Sequence, residues 1–162
     1  MDKQSLVDQL SARLREAAHA AHRAADAASQ EARDGATPAE KREDARVAIE
    51  QGSLAKGQAR REERVRAELS ALDAFRPKAL PSSAPVALGA VVEVEDEECG
   101  RTFFLAPVGA GMELTGPGGD GFLSVVTPVS PLGRAVMGKK RGDTVEVTVE
   151  GELREWTITW VG

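Results

Sequence analysis

The sequence predicts an α+β protein: an N-terminal antiparallel α-helical hairpin, or coiled coil, followed by an antiparallel β domain with one short helix. Three observations carry this. Alanine crowds the apolar positions of the first half and recurs at helical spacing. A single Gly-Thr-Pro break interrupts that helical stretch. After a proline-rich connector the apolar period changes to two. The expected division is residues 1–76 for the hairpin, with its tip at 34–44, residues 77–88 for the linker, and residues 89–162 for the β domain.

Val7, Leu10, Leu14, Ala17, Ala21, Ala24 and Ala28 follow alternating steps of three and four, the seam of a coiled-coil helix. Ser5, with Asp8 three residues on, is the expected N-cap. A helix from about Ser5 to Arg33 would be roughly 44 Å long at 1.5 Å per residue. Gly35 stops it, and Thr37-Pro38-Ala39-Glu40 starts the next. Thr caps, Pro suits the first helical position, and Glu at the third closes a capping box. The second helix is expected to reach about Phe75, with Val65, Leu69 and Leu72 as its best apolar positions. Gly52 and Gly57 weaken it by up to about 1 kcal/mol each. A short turn between two long helices implies antiparallel packing.

Pro77, Pro81 and Pro85, with Ser82 and Ser83, make an extended connector. Beyond it the expected strands are Ala90–Glu95, Thr102–Ala106, Met112–Thr115, Phe122–Thr127, Thr144–Glu150 and Arg154–Val161. Val145, Val147 and Val149 alternate with Glu146, Thr148 and Glu150. Trp156, Ile158 and Trp160 alternate with Thr157 and Thr159. Each pattern fits a strand buried on one face. Gly151 is the hairpin turn between them. A short helix fits Pro131–Met137, with Ser130 as its cap and Gly138 as its stop.

Charge and cysteine usage narrow the function classes. The net charge is −5. Residues 1–76 hold 14 Lys+Arg against 14 Asp+Glu, and residues 77–162 hold 7 against 12, so neither half has the basic excess of a general nucleic-acid binder. The single cysteine, Cys99, excludes an internal disulfide and a paired-Cys zinc site, and no role is assigned to it. His19 and His22 lie three apart on a helix and are expected to be a solvent-facing pair. Gly109-Ala110-Gly111 and Pro117-Gly118-Gly119-Asp120-Gly121 lack the Lys-Ser/Thr of a phosphate loop and are expected to be hairpin turns. The start lacks the basic segment and apolar run of a signal peptide, and no apolar run would span a membrane, so the cytoplasm is the expected compartment.

The run Ser130-Pro131-Leu132-Gly133-Arg134-Ala135-Val136-Met137-Gly138-Lys139-Lys140-Arg141-Gly142-Asp143, followed by an alternating Val/Glu strand, resembles the C-terminal domain of bacterial Gre transcript-cleavage factors. Glu31-Ala32-Arg33 before the turn and Glu50-Gln51-Gly52 in the second helix are similar to landmarks of that family's coiled coil. The likeness covers nearly the whole chain and is most specific in its C-terminal half. It implies an FK506-binding-protein-like fold for the β domain, which docks on bacterial RNA polymerase while the coiled coil enters the secondary channel. By this resemblance the docking residues are Ser130, Pro131, Leu132, Arg134, Gly138, Lys139 and Lys140. The tip residues facing the polymerase active site and nascent RNA are Asp34, Thr37, Glu40, Lys41, Arg42, Glu43 and Asp44. The chain would have no catalytic residue of its own and no stably bound cofactor. Its acids would help hold Mg²⁺ in the polymerase's active site, where paired ions stabilise the attacking and leaving oxygens.

The tip departs from the family pattern of an Asp followed three residues later by a Glu. Anchored on Glu50-Gln51-Gly52, Glu40 falls on the Glu position and Thr37 on the Asp position. Anchored on Gly35, the two positions hold Ala36 and Ala39. Glu40 either completes the capping box, faces the metal, or does both. Asp34, Glu43 and Asp44 either substitute for the missing acid or form a solvated face. Lys41, Arg42 and Arg46 flank RNA or the channel wall, whereas Arg60, Arg61 and Arg64, interleaved with Glu62 and Glu63, are expected to be salt-bridged on an exposed helix. Cleavage stimulation and channel occlusion thus stand as rival mechanisms, with the missing Asp favouring the second.

Two other classes fit the residues less well. A prolyl isomerase or chaperone needs an aromatic-lined pocket, and the chain has no Tyr, four Phe and two Trp. A coiled-coil assembly protein would pair helices between chains, but the Gly35-Thr37-Pro38 break favours folding back within one chain, so a monomer is expected.

Overall fold

A computed structural model describes residues 2–34, 44–116, 119, 121–149 and 151–162, without the side chains of 28, 29, 31–34, 44–51, 55 and 149. Helix α1 spans Lys3–Asp34 and α2 spans Asp44–Ala74. The predicted second-helix start at Pro38 and the Gly35 stop lie outside the described residues. The chain divides into two compact units, Met1–Ser11 with Ala71–Gly162, and Ala12–Ser70.

In the Ala12–Ser70 unit, Leu14 is buried and Ala18, Ala21 and Ala25 are half-buried, lining one groove with half-buried Gln58 and Val65 of α2. Ala17 and Ala24, expected in the seam, are exposed. The three-four rhythm holds: Leu14 and Ala21 lie in the seam as expected, and Ala18 and Ala25 take the places expected of Ala17 and Ala24. Alanine stands at both candidate positions of each pair, 17/18 and 24/25, so composition gives no preference between them. The Arg60, Arg61 and Arg64 side chains make no ion pair with Glu62 or Glu63; the ion pairs of this unit among the described residues are those of His22 with Asp26 and Glu62. Adjacent residues on a helix do not face one another, and exposed pairs gain too little to hold long side chains in one geometry.

A Cβ at Gly52 or Gly57 would meet nothing within 4 Å, and neither backbone lies in the left-handed region. Both glycines therefore cost helix stability without serving packing in this unit. Gly57→Ala is expected to stabilise α2 by about 0.5–1 kcal/mol through a less disordered unfolded chain. Thermal melting followed by helical circular dichroism checks this; a lower midpoint would show that the residue 57 backbone needs glycine.

In the other unit, strands β1 (Val91–Glu95), β2 (Gly100–Leu105), β3 (Glu113–Thr115), β4 (Phe122–Val126), β5 (Thr144–Val149) and β6 (Glu152–Val161) form one sheet in the order β3-β4-β2-β1-β6-β5. Helix α3 (Pro131–Val136) lies between β4 and β5 in sequence. All pairings are antiparallel except β2 with β4, which is parallel. Gly109 and Gly111, at φ +84° and +82°, therefore shape a crossover loop between two strands that do not pair, rather than the expected hairpin turn. Gly151, at φ +89°, does make the expected β5–β6 turn.

Each sheet face has its own cover. Val92, Val94, Phe103, Leu105, Val145, Val147, Trp156 and Ile158 form one core with Val136 of α3 and Val86 of the linker. Residues 77–88 contain no helix or strand, yet they are laid onto this domain: Val86 exchanges backbone bonds with Gly138 and Lys139, and Leu80 packs on the core. On the opposite face, the register aligns Val91, Phe104 and Val125. Phe75, just beyond α2, meets Phe104 with ring centroids 6.4 Å apart. Leu6, Leu10 and Leu72 are fully buried in the same unit.

The expected alternation of Trp156, Ile158 and Trp160 breaks near the end of β6. Val94 pairs with Ile158 while Glu93 pairs with Trp160, so Thr159 is an extra residue, a β-bulge. Ile158 stays in the core, Trp160 moves to the Glu93 face and is half-buried, and Val161 turns inward to pair with Val92. At the other end of the chain, Asp2 rather than Ser5 caps α1: its Oδ1 accepts from the Gln4 and Ser5 amides at 3.1 and 3.4 Å. Asp2 precedes the helix and can reach its free donors, whereas Ser5 already lies inside the first turn.

Candidate functional site

Of the tip residues, Thr37, Glu40, Lys41, Arg42 and Glu43 lie outside the described residues. Asp34 ends α1 and Asp44 begins α2, and their side chains are likewise outside the description. Among the described residues no three His, Cys, Asp or Glu side chains are placed to share a metal ion. His22 is exposed, as expected, but engaged: Nδ1 lies 3.0 Å from Glu62 Oε1 and Nε2 lies 3.4 Å from Asp26 Oδ2.

The segment Ser130–Asp143 separates into residues that build the turn and residues that the turn displays. Ser130 Oγ donates to the Thr127 carbonyl at 2.8 Å and accepts the Gly133 amide at 3.1 Å. This is the expected N-cap, with Pro131 at the first helical position. Gly133 is buried, and a Cβ there would overlap the Thr127 carbonyl. Leu132 packs on the core. Gly138, at φ +76°, ends the helix and donates its amide to Val86. Ser130, Leu132 and Gly138 are thus occupied by the fold.

What remains displayed is Pro131, Arg134, Lys139 and Lys140, all exposed, the three cations in no ion pair among the described residues. Two apolar neighbours join them: Val129 is 79% exposed and Met137 38% exposed. Sequence reading missed both. Val129 precedes the cap and Met137 sits at the helical spacing of a core residue, so exposure at either was not legible from type or period. The surface pairs two exposed apolar side chains with three cations, a chemistry suited to an acidic, partly apolar protein surface.

At the β1–β2 turn, Asp96 accepts the Cys99 and Glu98 amides at 2.8 and 2.9 Å, and Arg154 Nη1 lies 3.4 Å away. The Cys99 and then the Glu98 amide hold the Asp96 carboxyl below the usual carboxylate range, with Arg154 adding to them. The stability this gives is complete above the unfolded carboxylate pKa and is lost as pH falls through the lowered folded value. Asp96→Asn is therefore expected to flatten the acid limb of thermal stability while lowering stability at neutral pH. Parallel acid limbs in melting curves against pH would remove the carboxylate from this role. Cys99 is exposed in the same turn.

No helix among the described residues is long and apolar enough to cross a membrane. Residues 81–162 match the family model described as transcription elongation factor, GreA/GreB, C-terminal. The chain is similar to the transcription elongation factor GreA of Alkalilimnicola ehrlichii, 33% identical over 115 residues that cover 71% of this chain and 67% of that protein. It is 31% identical over 97 residues to GreA of Verminephrobacter eiseniae, covering 60% of this chain and 58% of that one. The match to GreA of Polaromonas naphthalenivorans has the same extent, so the chain spans under two thirds of the length of these two relatives. The crystal structure of GreA factor homolog 1 (Gfh1) of Thermus thermophilus aligns over 96% of this chain and 92% of that one, at 20% identity and a TM-score of 0.41.

Proposed function

The chain belongs to the GreA/GreB family of transcription elongation factors, and we propose that it acts as a non-enzymatic accessory factor of bacterial RNA polymerase. In this reading the surface around α3 docks on the polymerase, and the tip segment 34–44 enters the secondary channel beside nascent RNA. The factor works as a monomer in the cytoplasm. One observation carries the reading: inside the family-matched residues 81–162, the fold leaves Val129, Arg134, Met137, Lys139 and Lys140 displayed around a single short helix.

At the tip, anchored on Glu50-Gln51-Gly52, Thr37 stands where the family pattern has an Asp, and an uncharged hydroxyl is a weak partner for a hard divalent cation; anchored on Gly35, Ala36 and Ala39 hold the two positions, so neither register keeps both acids. In the first register Glu40 is the carboxylate, and a Mg²⁺ held by the polymerase would stabilise the attacking and leaving oxygens there. We infer that this tip modulates transcription by occupying the channel rather than by accelerating cleavage. The test is RNA cleavage in backtracked elongation complexes at fixed Mg²⁺, with and without the protein. No acceleration, together with competition against an active Gre factor, is the expected result. Acceleration that Glu40→Ala abolishes would mean that Asp34, Glu43 or Asp44 replaces the missing acid. Neither acceleration nor competition would overturn the polymerase reading and favour a coiled-coil assembly protein.

A further inference from the structure

We propose that this protein associates with itself head to tail: the bare acidic face of β1, β6 and β5 on one copy takes the cationic surface around α3 of a second copy. That cationic surface is the one assigned above to polymerase docking, so an associated copy has its docking residues covered. This consequence alone rests on the docking reading; the association does not.

The acidic face follows from register. Residues directly paired across a sheet share a face, and successive residues of a strand alternate between faces. Glu95 pairs with Thr157, Thr157 with Thr144, Glu146 with Glu155, and Thr148 with Leu153. These residues, with Glu93, stand on the face opposite the core residues Val92, Val94, Val145, Val147, Trp156 and Ile158. The glutamates and threonines named are all exposed, and Leu153 is 68% exposed. Further along the strand order the same face is packed, because Phe104 of β2 and Val125 of β4 are buried there. Only the β1-β6-β5 part is bare.

The bare part is electrostatically frustrated. Glu146 stands directly opposite Glu155, and like charges so placed destabilise a sheet. Glu95 is a diagonal neighbour of Glu155, one pair along on β1. No Lys or Arg occupies a position of this face on the three strands. Arg101 and Arg154 stand on the core side, paired with Val94 and Val147. Among the described residues, none of the four glutamates on this face makes an ion pair. A local rule broken in this way marks a face whose compensation comes from outside the monomer.

The compensating charge lies on the same domain but out of reach. Arg134, Lys139, Lys140 and Arg141 are exposed and in no ion pair among the described residues, beside exposed Val129 and Met137. Helix α3 packs on the core side of the sheet through Val136, and the acids face away from that core. Within one copy the two charged surfaces occupy opposite sides of one sheet and cannot meet. Between copies they can, with Leu153 as an apolar counterpart to Val129 and Met137. Two different patches meet, so the contact is heterologous and leaves one patch free at each end. Association therefore continues to short chains rather than closing at a dimer. The monomer that binds polymerase is the dissociated form.

The test is the solution mass of the full chain, by sedimentation over a concentration series. At about 0.1 M salt the Debye length is about 10 Å, so repulsion between whole molecules is largely screened while groups in contact still attract. We expect the mean mass of wild type to climb with concentration past that of a dimer, and to return to the monomer at about 1 M salt. One variant combines Glu95→Gln, Glu146→Gln and Glu155→Gln; the other combines Lys139→Glu and Lys140→Glu. Each alone should weaken association about tenfold, the loss of a few surface pairs. The first keeps the cations and the second keeps the acids, so an equimolar mixture should recover association and stop at pairs. The thermal midpoint of the glutamine variant should also rise by a few degrees, since the Glu146–Glu155 repulsion is gone.

A wild type that stays monomeric throughout, or a mixture no better than either variant alone, would overturn the proposal. So would a lower midpoint in the glutamine variant, which would give these carboxylates partners within one copy. A monomeric wild type whose glutamine variant loses polymerase affinity would overturn it too, and would assign the acidic face to a cationic surface of the polymerase. If wild type associates as described but never binds polymerase, the docking reading falls and the self-association stands.

Discussion

Gly133→Ala is expected to destabilise the C-terminal domain by about 3 kcal/mol, near the upper end for overpacking in a well-filled interior. The added methyl would overlap a backbone atom, the Thr127 carbonyl, which has no rotamer by which to yield. That carbonyl also accepts from Ser130 Oγ at 2.8 Å and from the Ser130 amide at 3.0 Å. Moving it strains the cap, and the cap holds the Gly133 amide itself. The cost therefore spreads over the first turn of α3, which shields Val136 and part of the core. Ser130→Ala removes the cap alone and should cost about 1 kcal/mol. Denaturant unfolding of the two variants separates the effects: if Gly133→Ala costs no more than Ser130→Ala, the close approach at Thr127 relaxes without penalty.

That pair of residues also shows what a motif says and leaves unsaid. Ser130, Pro131, Gly133 and Gly138 were legible as a helix start and stop because capping and left-handed turns have strict residue preferences. Strands were legible for the same kind of reason, since Val145/Val147 and Trp156/Ile158 alternate with polar residues. Features decided by distant partners left no local mark. The parallel pairing of β2 with β4 depends on where the Ala106–Gly121 connection returns, not on the composition of Phe103–Leu105. The bulge at Thr159 moves Trp160 to the opposite face although its period is intact. Gln9 reads as an ordinary helix-surface glutamine, and only the edge position of β3 makes it a strand partner. In the hairpin, Leu14 and Ala21 were legible as seam positions, but the choice between 17 and 18 and between 24 and 25 was not, because alanine stands at all four.

The displayed surface around α3 carries the second large effect. Val129→Glu combined with Met137→Ala is expected to weaken polymerase binding by roughly 2 kcal/mol, about thirtyfold, the loss typical of removing a central apolar anchor. Folding should be unaffected, because Val129 is 79% exposed and supports no core contact. Charge reversal at Lys139 and Lys140 should act differently. Both are exposed and outside any ion pair among the described residues, so in the proposed docking surface they would form the rim, where charge chiefly sets association rate and its dependence on salt. Lys139→Glu with Lys140→Glu should therefore slow association most at low ionic strength, and the difference from wild type should shrink as salt rises past the range where the Debye length is about 10 Å. The apolar double variant should instead speed dissociation at every salt concentration. Association and dissociation rates across a salt series distinguish the two. If both variants change only association, the apolar residues are not buried on binding, and docking through α3 would reduce to electrostatic steering. If neither changes either rate while wild type binds, the polymerase contacts another face of the C-terminal domain, and the exposure of Val129 and Met137 has no part in recognition.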